Sequence, residues 1–478
     1  MAGVELSSRI GRGIVAAAVL GSGMAMLDGT VVNIALVRIG EDLDATLAEL
    51  QWVTNGYLLS LASLILLGGS LGDRLGRRRV FVWGVVGFAV TSALCGVAQN
   101  PTQLVLGRIL QGVAGALLTP GSLSMIQASL RTQDRAKAIG SWSGLGGIAS
   151  ALGPFVGGWL VQYASWRWVF FLNIPLAALT VLLALRFVPE SRDAQAGDGF
   201  DGGHGFDVVG AALATGALAF TTFALIQYAA LGAGATITIA LVGVAFGAGF
   251  VVVERRAPTP MVQPSLFASR QFSAANAMTL VVYGALGAVL FFLSLQLQVV
   301  VGYGPLLAGV ATLPITALML LLAARGGELG ARIGPRLPMT LGPGVCGIGV
   351  ALLAFVRHDS AYLTGILPGL TTFGLGLCLL VAPLTATVLG AAPDRYVGAA
   401  SGVNNAVARA GTLLAVAALP ALVGLGGDAY RDPELLSAAY RSAMWLSAGL
   451  LVVGAVVSWS LIRNTPENAP LAVTETDS

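Results

Sequence analysis

Charge is what this chain has least of. Asp, Glu, Lys and Arg together make up 10% of its 478 residues, against 56% hydrophobic residues, where a soluble domain carries about 25% charged residues. An ordinary soluble protein is therefore excluded. Lysine occurs once, as Lys137, so no Gly-x-x-x-x-Gly-Lys-Ser/Thr phosphate-binding loop can be assembled. The three cysteines, Cys95, Cys346 and Cys378, sit in or near apolar runs without paired spacing, and point to neither a disulfide framework nor a metal site. Both histidines, His204 and His358, fall in polar connections away from any nucleophile, so no enzyme is expected. A net charge of +3 leaves no footprint for nucleic acid.

What the chain has instead is long apolar runs. Crossing a hydrocarbon core of about 30 Å takes about 20 apolar residues in a helix, and in lipid every backbone polar group must be satisfied internally. Runs bounded by charge, Gly or Pro place spans near 14–36, 50–70, 80–98, 103–126, 138–161, 167–187, 208–228, 232–253, 273–299, 305–324, 338–356, 361–390, 396–424 and 440–462. That makes about fourteen. The runs are continuous rather than alternating with period two, which excludes a membrane barrel. The 64 glycines suit close helix packing in lipid. Val15–Leu27 has the length of a signal-peptide core but no cleavage site, and is read as a retained first span. An even number of spans puts both termini on one side. Arg38, Arg167, Arg357, Arg431 and Arg441 alone fall in segments placed on the other side, so the positive-inside rule makes the termini cytoplasmic in a multi-pass cell-membrane protein.

The sequence also repeats itself. Gly327–Arg336 lines up with Gly69–Arg78, keeping Gly69/Gly327, Leu71/Leu329, Gly72/Gly330, Arg74/Arg332, Gly76/Gly334 and Arg78/Arg336, while Asp73 is replaced by Ala331. Two copies of one charged loop imply two related halves. The expected organisation is a six-helix half over residues 1–188, a linker with two additional helices over 189–271, a second six-helix half over 272–463, and a disordered tail over 464–478. Pro189–Asp207 is the expected connection between the halves, and Gln263–Phe272 an interfacial connector.

These residues carry a family resemblance. Gly68–Val80 resembles the loop between the second and third helices of the major facilitator superfamily, and Met26–Leu36 resembles the first-helix motif of its fourteen-span drug:proton antiporters. Leu106–Gly112 is similar to the fourth-helix motif, Gly153-Pro154-Phe155-Val156-Gly157-Gly158 to the antiporter motif of helix five, and Trp166–Pro175 to a segment typical of that branch. Weaker matches follow at Gln298–Pro314 and Ser401–Gly411. Val37 departs from the proline usual at the end of the first motif. The resemblance implies an all-α polytopic membrane protein of the major facilitator fold. It further implies an alternating-access antiporter that exports amphipathic or cationic drugs or antibiotics in exchange for protons. No cofactor is then needed, the proton gradient supplying the energy. Partners would be an amphipathic small molecule, protons and membrane lipid, and a monomer would suffice. A dedicated exporter of one metabolite or lipid on the same fold is the alternative, and a non-transporting membrane receptor is disfavoured by the intramembrane charges.

Several residues stand out chemically. Asp28 is the only acidic residue placed well inside a span, and such carboxylates are functional by default. It suits proton carriage or contact with a cation, while a hydrogen bond to Thr30 or Asn33 is the structural alternative. Arg108, equally deep and flanked by Gln111, stays charged and needs a carboxylate, carbonyls or water; the resemblance assigns it to proton coupling. For Gly69, Gly72, Asp73, Arg74, Gly76, Arg77 and Arg78 the resemblance implies a conformational latch between the halves, with a plain topology signal as the alternative for the arginines. Gly153, Pro154, Gly157 and Gly158 should allow a kink and close helix contact. Asn33, Gln111, Gln298, Asn404, Asn405 and Arg409 are candidate cavity residues.

Overall fold

A computed structural model describes residues 3–192, 207–257, 260–393 and 396–464. His204 and most of the expected inter-half connection, Arg395, and the tail beyond Asn464 lie outside the described residues. Among the described residues, fourteen helices are long and apolar enough to cross a membrane. In chain order they are α1 Arg9–Asp42, α2 Leu47–Leu75, α3 Arg77–Gly96, α4 Pro101–Ser129, α5 Thr132–Tyr163, α6 Arg167–Phe187, α7 Val208–Ile226, α8 Tyr228–Arg256, α9 Arg270–Val300, α10 Pro305–Ile333, α11 Arg336–Leu353, α12 Tyr362–Gly390, α13 Val397–Leu422 and α14 Pro433–Leu461.

Several outlast the apolar runs that predict them. Helix α1 begins at Arg9 and ends at Asp42 because the polar turns at each end are themselves helix-competent and capped. Ser8 Oγ accepts from Gly11 N at 3.0 Å. At the next entry Thr46 and Glu49 form a reciprocal capping box, and α4 starts on Asn100 with Pro101 at its first position. Helix starts are thus written in short-range polar residues, and helix lengths in apolar ones.

Helices α1–α6 form one bundle and α9–α14 a second, with α7 and α8 paired to each other. Helix α7 rests against both α2 and α13, where Trp52 and Phe223 bring their rings to 6.3 Å. The extra pair therefore covers the flank where α2 meets α13. Inside each bundle the glycine just before the repeat permits a close helix approach. Gly68 faces the Ala116 carbonyl of α4 and Gly326 faces the Cys378 carbonyl of α12, and a Cβ at either would overlap that oxygen. The duplication is thus visible as matched helix contacts.

The charged repeat proves to be hardly a loop. Residues up to Leu75 belong to α2 and Arg77 already opens α3, so Gly76 alone makes the turn. It does so at φ +114°, and its counterpart Gly334 at φ +85°, a region that favours glycine. The segment following each half's last helix then covers the new helix start. Glu190 Oε1 accepts from Arg78 N at 3.2 Å and Ser191 O from Arg77 N at 3.0 Å; Asn464 Oδ1 accepts from Arg336 N at 3.0 Å. Asn464, expected in the disordered tail, is therefore fixed in place.

A set of hydrogen bonds joins the halves at the end opposite the termini. Gln51 Nε2 donates to Val416 O at 2.7 Å, Ser294 Oγ to Asn33 O at 2.8 Å and Tyr430 Oη to Ala45 O at 2.8 Å. Arg431 lies 2.9 Å from Asp44. At the end carrying the termini, a cavity of about 670 Å³ opens between α1 and α5, walled by Val15, Val19, Leu20 and Leu145 with Arg12, Asp134 and Lys137 at its mouth.

Candidate functional site

Asp28 and Arg108 meet. Asp28 comes from the middle of α1 and Arg108 from the second turn of α4, with Arg108 Nη1 2.6 Å from Asp28 Oδ2, and their side chains are 0% and 1% exposed. Neither structural alternative, a bond to Thr30 or to Asn33, is what holds the carboxylate. Its second oxygen accepts from Gln111 Nε2 at 3.0 Å and from Asn173 Nδ2 at 3.3 Å. Arg108 also donates to Gln111 Oε1 at 2.7 Å and, through Nε, to the Val53 carbonyl at 3.0 Å. Its guanidinium lies 4.4 Å from the centre of the Tyr57 ring. Ser92 ties Gln111 to Asn173 by hydrogen bonds of 3.3 and 2.9 Å. Five side chains from α1, α3, α4 and α6 thus form one connected polar network inside the first bundle.

That network is assembled by small residues. Gly112 lets α4 approach the Tyr57 carbonyl and Ser60 of α2, and Gly107 sits over Cys95, where a Cβ would come within 2.7 Å of Sγ. A side chain at either position would push α4 outward and lengthen the 2.6 Å pair. Splitting such a pair in a low-dielectric interior leaves an uncompensated charge, a loss of about 3–5 kcal/mol. Gln111, expected to line the cavity, is instead fully buried in this network. Asn173 and Ser92 were not singled out by the sequence. The available signal for Asn173 was its place in the Trp166–Pro175 segment, a lone amide leading into an apolar helix.

The Gly-Pro motif in α5 does two jobs. Pro154 has no N–H to give the Ser150 carbonyl, and Thr30 Oγ1 of α1 approaches that oxygen at 3.4 Å while donating to Leu27 O at 2.9 Å. Gly153 packs on Thr30 and Gly157 on Val31, both within the first bundle. Gly158 faces across to α10, where a Cβ would come within 2.6 Å of the Pro305 carbonyl, and Gly309 of α10 packs reciprocally on the Pro154 carbonyl. The motif is therefore part of the closed end.

Around the repeat, Asp73 pairs with Arg77 one turn on, at 2.9 Å and partly exposed. Arg78 reaches the Val188 carbonyl at 3.1 Å and lies 3.7 Å from Glu190. These contacts stay within the first bundle; they tie α3 to the end of α6. Gly69 packs beside Pro120 of α4, while Gly72 is buried with the Arg77 Cα 4.0 Å from where its Cβ would stand.

Of the expected cavity residues, Gln298 belongs to the closed end, donating to Ile34 O at 3.1 Å, beside the Asn33 carbonyl that receives Ser294. Asn404 donates to Asn276 Oδ1 at 3.2 Å and Thr279 Oγ1 at 2.8 Å of α9. Asn404 and Asn405 do line a cavity, of about 150 Å³, with Tyr283, Thr385 and Ser401. Arg409 stands one turn further along α13. Among the described residues no group of three or more His, Cys, Asp or Glu side chains is placed to hold a metal.

Comparison with known proteins agrees with this architecture. Over 95% of the chain, the fold superposes on a D-xylose-proton symporter with a TM-score of 0.68, covering 98% of that protein at 14% identity. It superposes on a bacterial homologue of the lysosomal transporter spinster with a TM-score of 0.65, over 95% of this chain and 97% of that one at 17% identity. In sequence, the chain is 35% identical over 425 residues to a tetracenomycin C resistance and export protein of Streptomyces glaucescens, covering 87% of this chain and 77% of that one. It is 34% identical over 465 residues to a puromycin resistance protein of Streptomyces alboniger, covering 93% and 90%, and 34% identical over 434 residues to a multidrug efflux pump of Mycolicibacterium smegmatis, covering 89% and 80%. The sequence pattern of the Major Facilitator Superfamily matches residues 18–416, and together with the two six-helix bundles and their shared turn it makes this chain a member of the Major Facilitator Superfamily.

Proposed function

We propose that this protein is an exporter of amphipathic or cationic drugs or antibiotics that exchanges its substrate for protons across the cytoplasmic membrane, both termini lying inside. The observation that carries the reading is the fully buried Asp28–Arg108 pair with its Gln111, Asn173 and Ser92 partners. The guanidinium, with the Gln111 and Asn173 amides, offsets the cost of a charged carboxylate at this depth. Protonating Asp28 removes the charge that holds Arg108, so proton occupancy and the relative placement of α1 and α4 become one variable. That is the coupling an antiporter needs.

The closed end opposite the termini supports an inward-open state in which substrate enters from the cytoplasm. In the opposite state the Gly158–Pro305 contact separates, and Asp73, Arg74 and Arg78 latch the cytoplasmic ends. The relatives supply the substrate class: some are named for one compound, such as tetracenomycin C or puromycin, and others for many drugs. A single-compound exporter is accordingly the second reading.

The test uses everted vesicles energised to an inside-acid gradient, to which antibiotics and lipophilic cations are added singly. Native protein should dissipate the gradient with at least one compound. The Asp28→Asn variant and the Asp28→Asn/Arg108→Gln double variant should not, although both insert normally. Dissipation by only one compound of a broad panel would select the dedicated exporter; dissipation undiminished in both variants would remove Asp28 from the mechanism.

A further inference from the structure

Arg409 is the third charge in the middle of the bundle, and unlike Arg108 it meets no carboxylate. Its Nε is buried without a hydrogen-bond partner, and its guanidinium lies within electrostatic reach of Tyr57 and Tyr283. The register of the two helices around it can be read from both sides. Gln51 of α2 donates to the carbonyls of Val416 and Ala417 on α13. Further along α2, Leu66 lies against Gly402, where a Cβ would come within 2.6 Å of Leu66 Cδ2. The helices run antiparallel, so Arg409 falls between these levels, opposite Leu58, with Asn55 about one turn away toward Gln51. Asn55 is 0% exposed, and neither its Oδ1 nor its Nδ2 has a partner. Two helices thus bring unsatisfied polar groups to one seam.

The charges do not balance there. Asp28 and Arg108 cancel each other, so Arg409 adds a positive charge that cannot be relieved by deprotonation. An unpaired guanidinium at this depth is disfavoured by several kcal/mol. The 150 Å³ cavity lined by Tyr283, Thr385, Ser401, Asn404 and Asn405 lies one turn along α13 from it, toward the end carrying the termini.

We propose that the α2–α13 seam at Arg409 and Asn55 is an anion-binding subsite that admits amphipathic aromatic compounds bearing a carboxylate, phenolate or sulfonate. The guanidinium fork receives two anionic oxygens, the Asn55 amide supplies a further donor, and the ring occupies the neighbouring cavity. The proposal rests on the exporter reading above and extends its substrate range to acids.

The probes are naphthalene-2-sulfonate and N-methylquinolinium, two fused-ring compounds of similar size with permanent and opposite charge. Binding is measured by equilibrium dialysis against the full-length protein in lipid nanodiscs, and transport in proteoliposomes under a pH gradient. Native protein should bind and move the sulfonate. Arg409→Gln should weaken sulfonate binding about tenfold or more, the loss expected for a charged hydrogen-bonded contact; Asn55→Leu should weaken it less, and Arg409→Lys should recover part of it. N-methylquinolinium serves as the folding control and should not be weakened by Arg409→Gln. Sulfonate binding unchanged in Arg409→Gln, or absent from native protein that still exchanges N-methylquinolinium for protons, overturns the subsite and leaves the exporter standing. If no compound of either sign moves protons, the exporter reading falls and the subsite with it.

Discussion

At the residue scale, the contact between Asp28 and Arg108 is the one on which the buried network of the first bundle depends. Asp28 and Arg108 announce themselves because ionisable groups are rare in apolar runs. Their contact depends on how α1 and α4 are rotated and staggered, which neither segment specifies alone. A test follows from the pairing itself. Asp28→Asn and Arg108→Gln should each lower stability by about 3–5 kcal/mol, because each leaves a buried charge alone. The double variant should be more stable than the sum of the two losses predicts, which thermal unfolding in detergent reads as a double-mutant cycle. Simple additivity would mean that the 2.6 Å contact contributes nothing. Asn173 is the hardest partner to foresee: a buried amide looks like any other polar interruption until the carboxylate it serves is in place.

Helix number and order were readable from apolar length, while the turns between helices were misjudged where a single glycine did the work. Gly68–Val80 looks like a loop because charge and glycine concentrate there. In the fold it is two helices hinged at Gly76. Replacing Gly76 or Gly334 by alanine should lower stability by about 1–3 kcal/mol each, the range for forcing a side chain into a sparsely populated backbone region. The effects should add, since the two turns lie in separate bundles; a melting temperature unaffected by either change would mean that the turn relaxes freely. The α5 motif makes a different demand. A leucine in place of Gly158 should hold α5 away from the Pro305 carbonyl and keep the far end open, abolishing transport without unfolding the protein. A cysteine introduced as Gln298→Cys should then become more reactive toward a polar alkylating reagent. Unchanged reactivity together with full transport would show that Gly158 is not a closure contact.

For the whole molecule, the duplicated sequence foretold two bundles, but not which end they close. That depends on long-range pairs such as Gln51 with Val416 and Arg431 with Asp44, separated by most of the chain. Closure at this end can be locked. Asn33→Cys with Ser294→Cys, at a site where Ser294 Oγ lies 2.8 Å from the Asn33 carbonyl, should form a disulfide on oxidation that stops transport, and reductant should restore it. The native thiols Cys95, Cys346 and Cys378 are buried, so they interfere little. Transport continuing through the oxidised bridge would show that the two ends need not alternate.

The matched covers over the third helix of each half have a historical meaning. Glu190 and Ser191 seal the start of α3, and Asn464 seals the start of α11, so each half ends on its own interior rather than on its twin. A six-helix ancestor built this way was already a finished object, its last residues tucked against its own middle. Two copies could then be fused end to end without reopening either one. The α7–α8 pair at the join rests on the outside of α2 and α13 and takes part in neither cover.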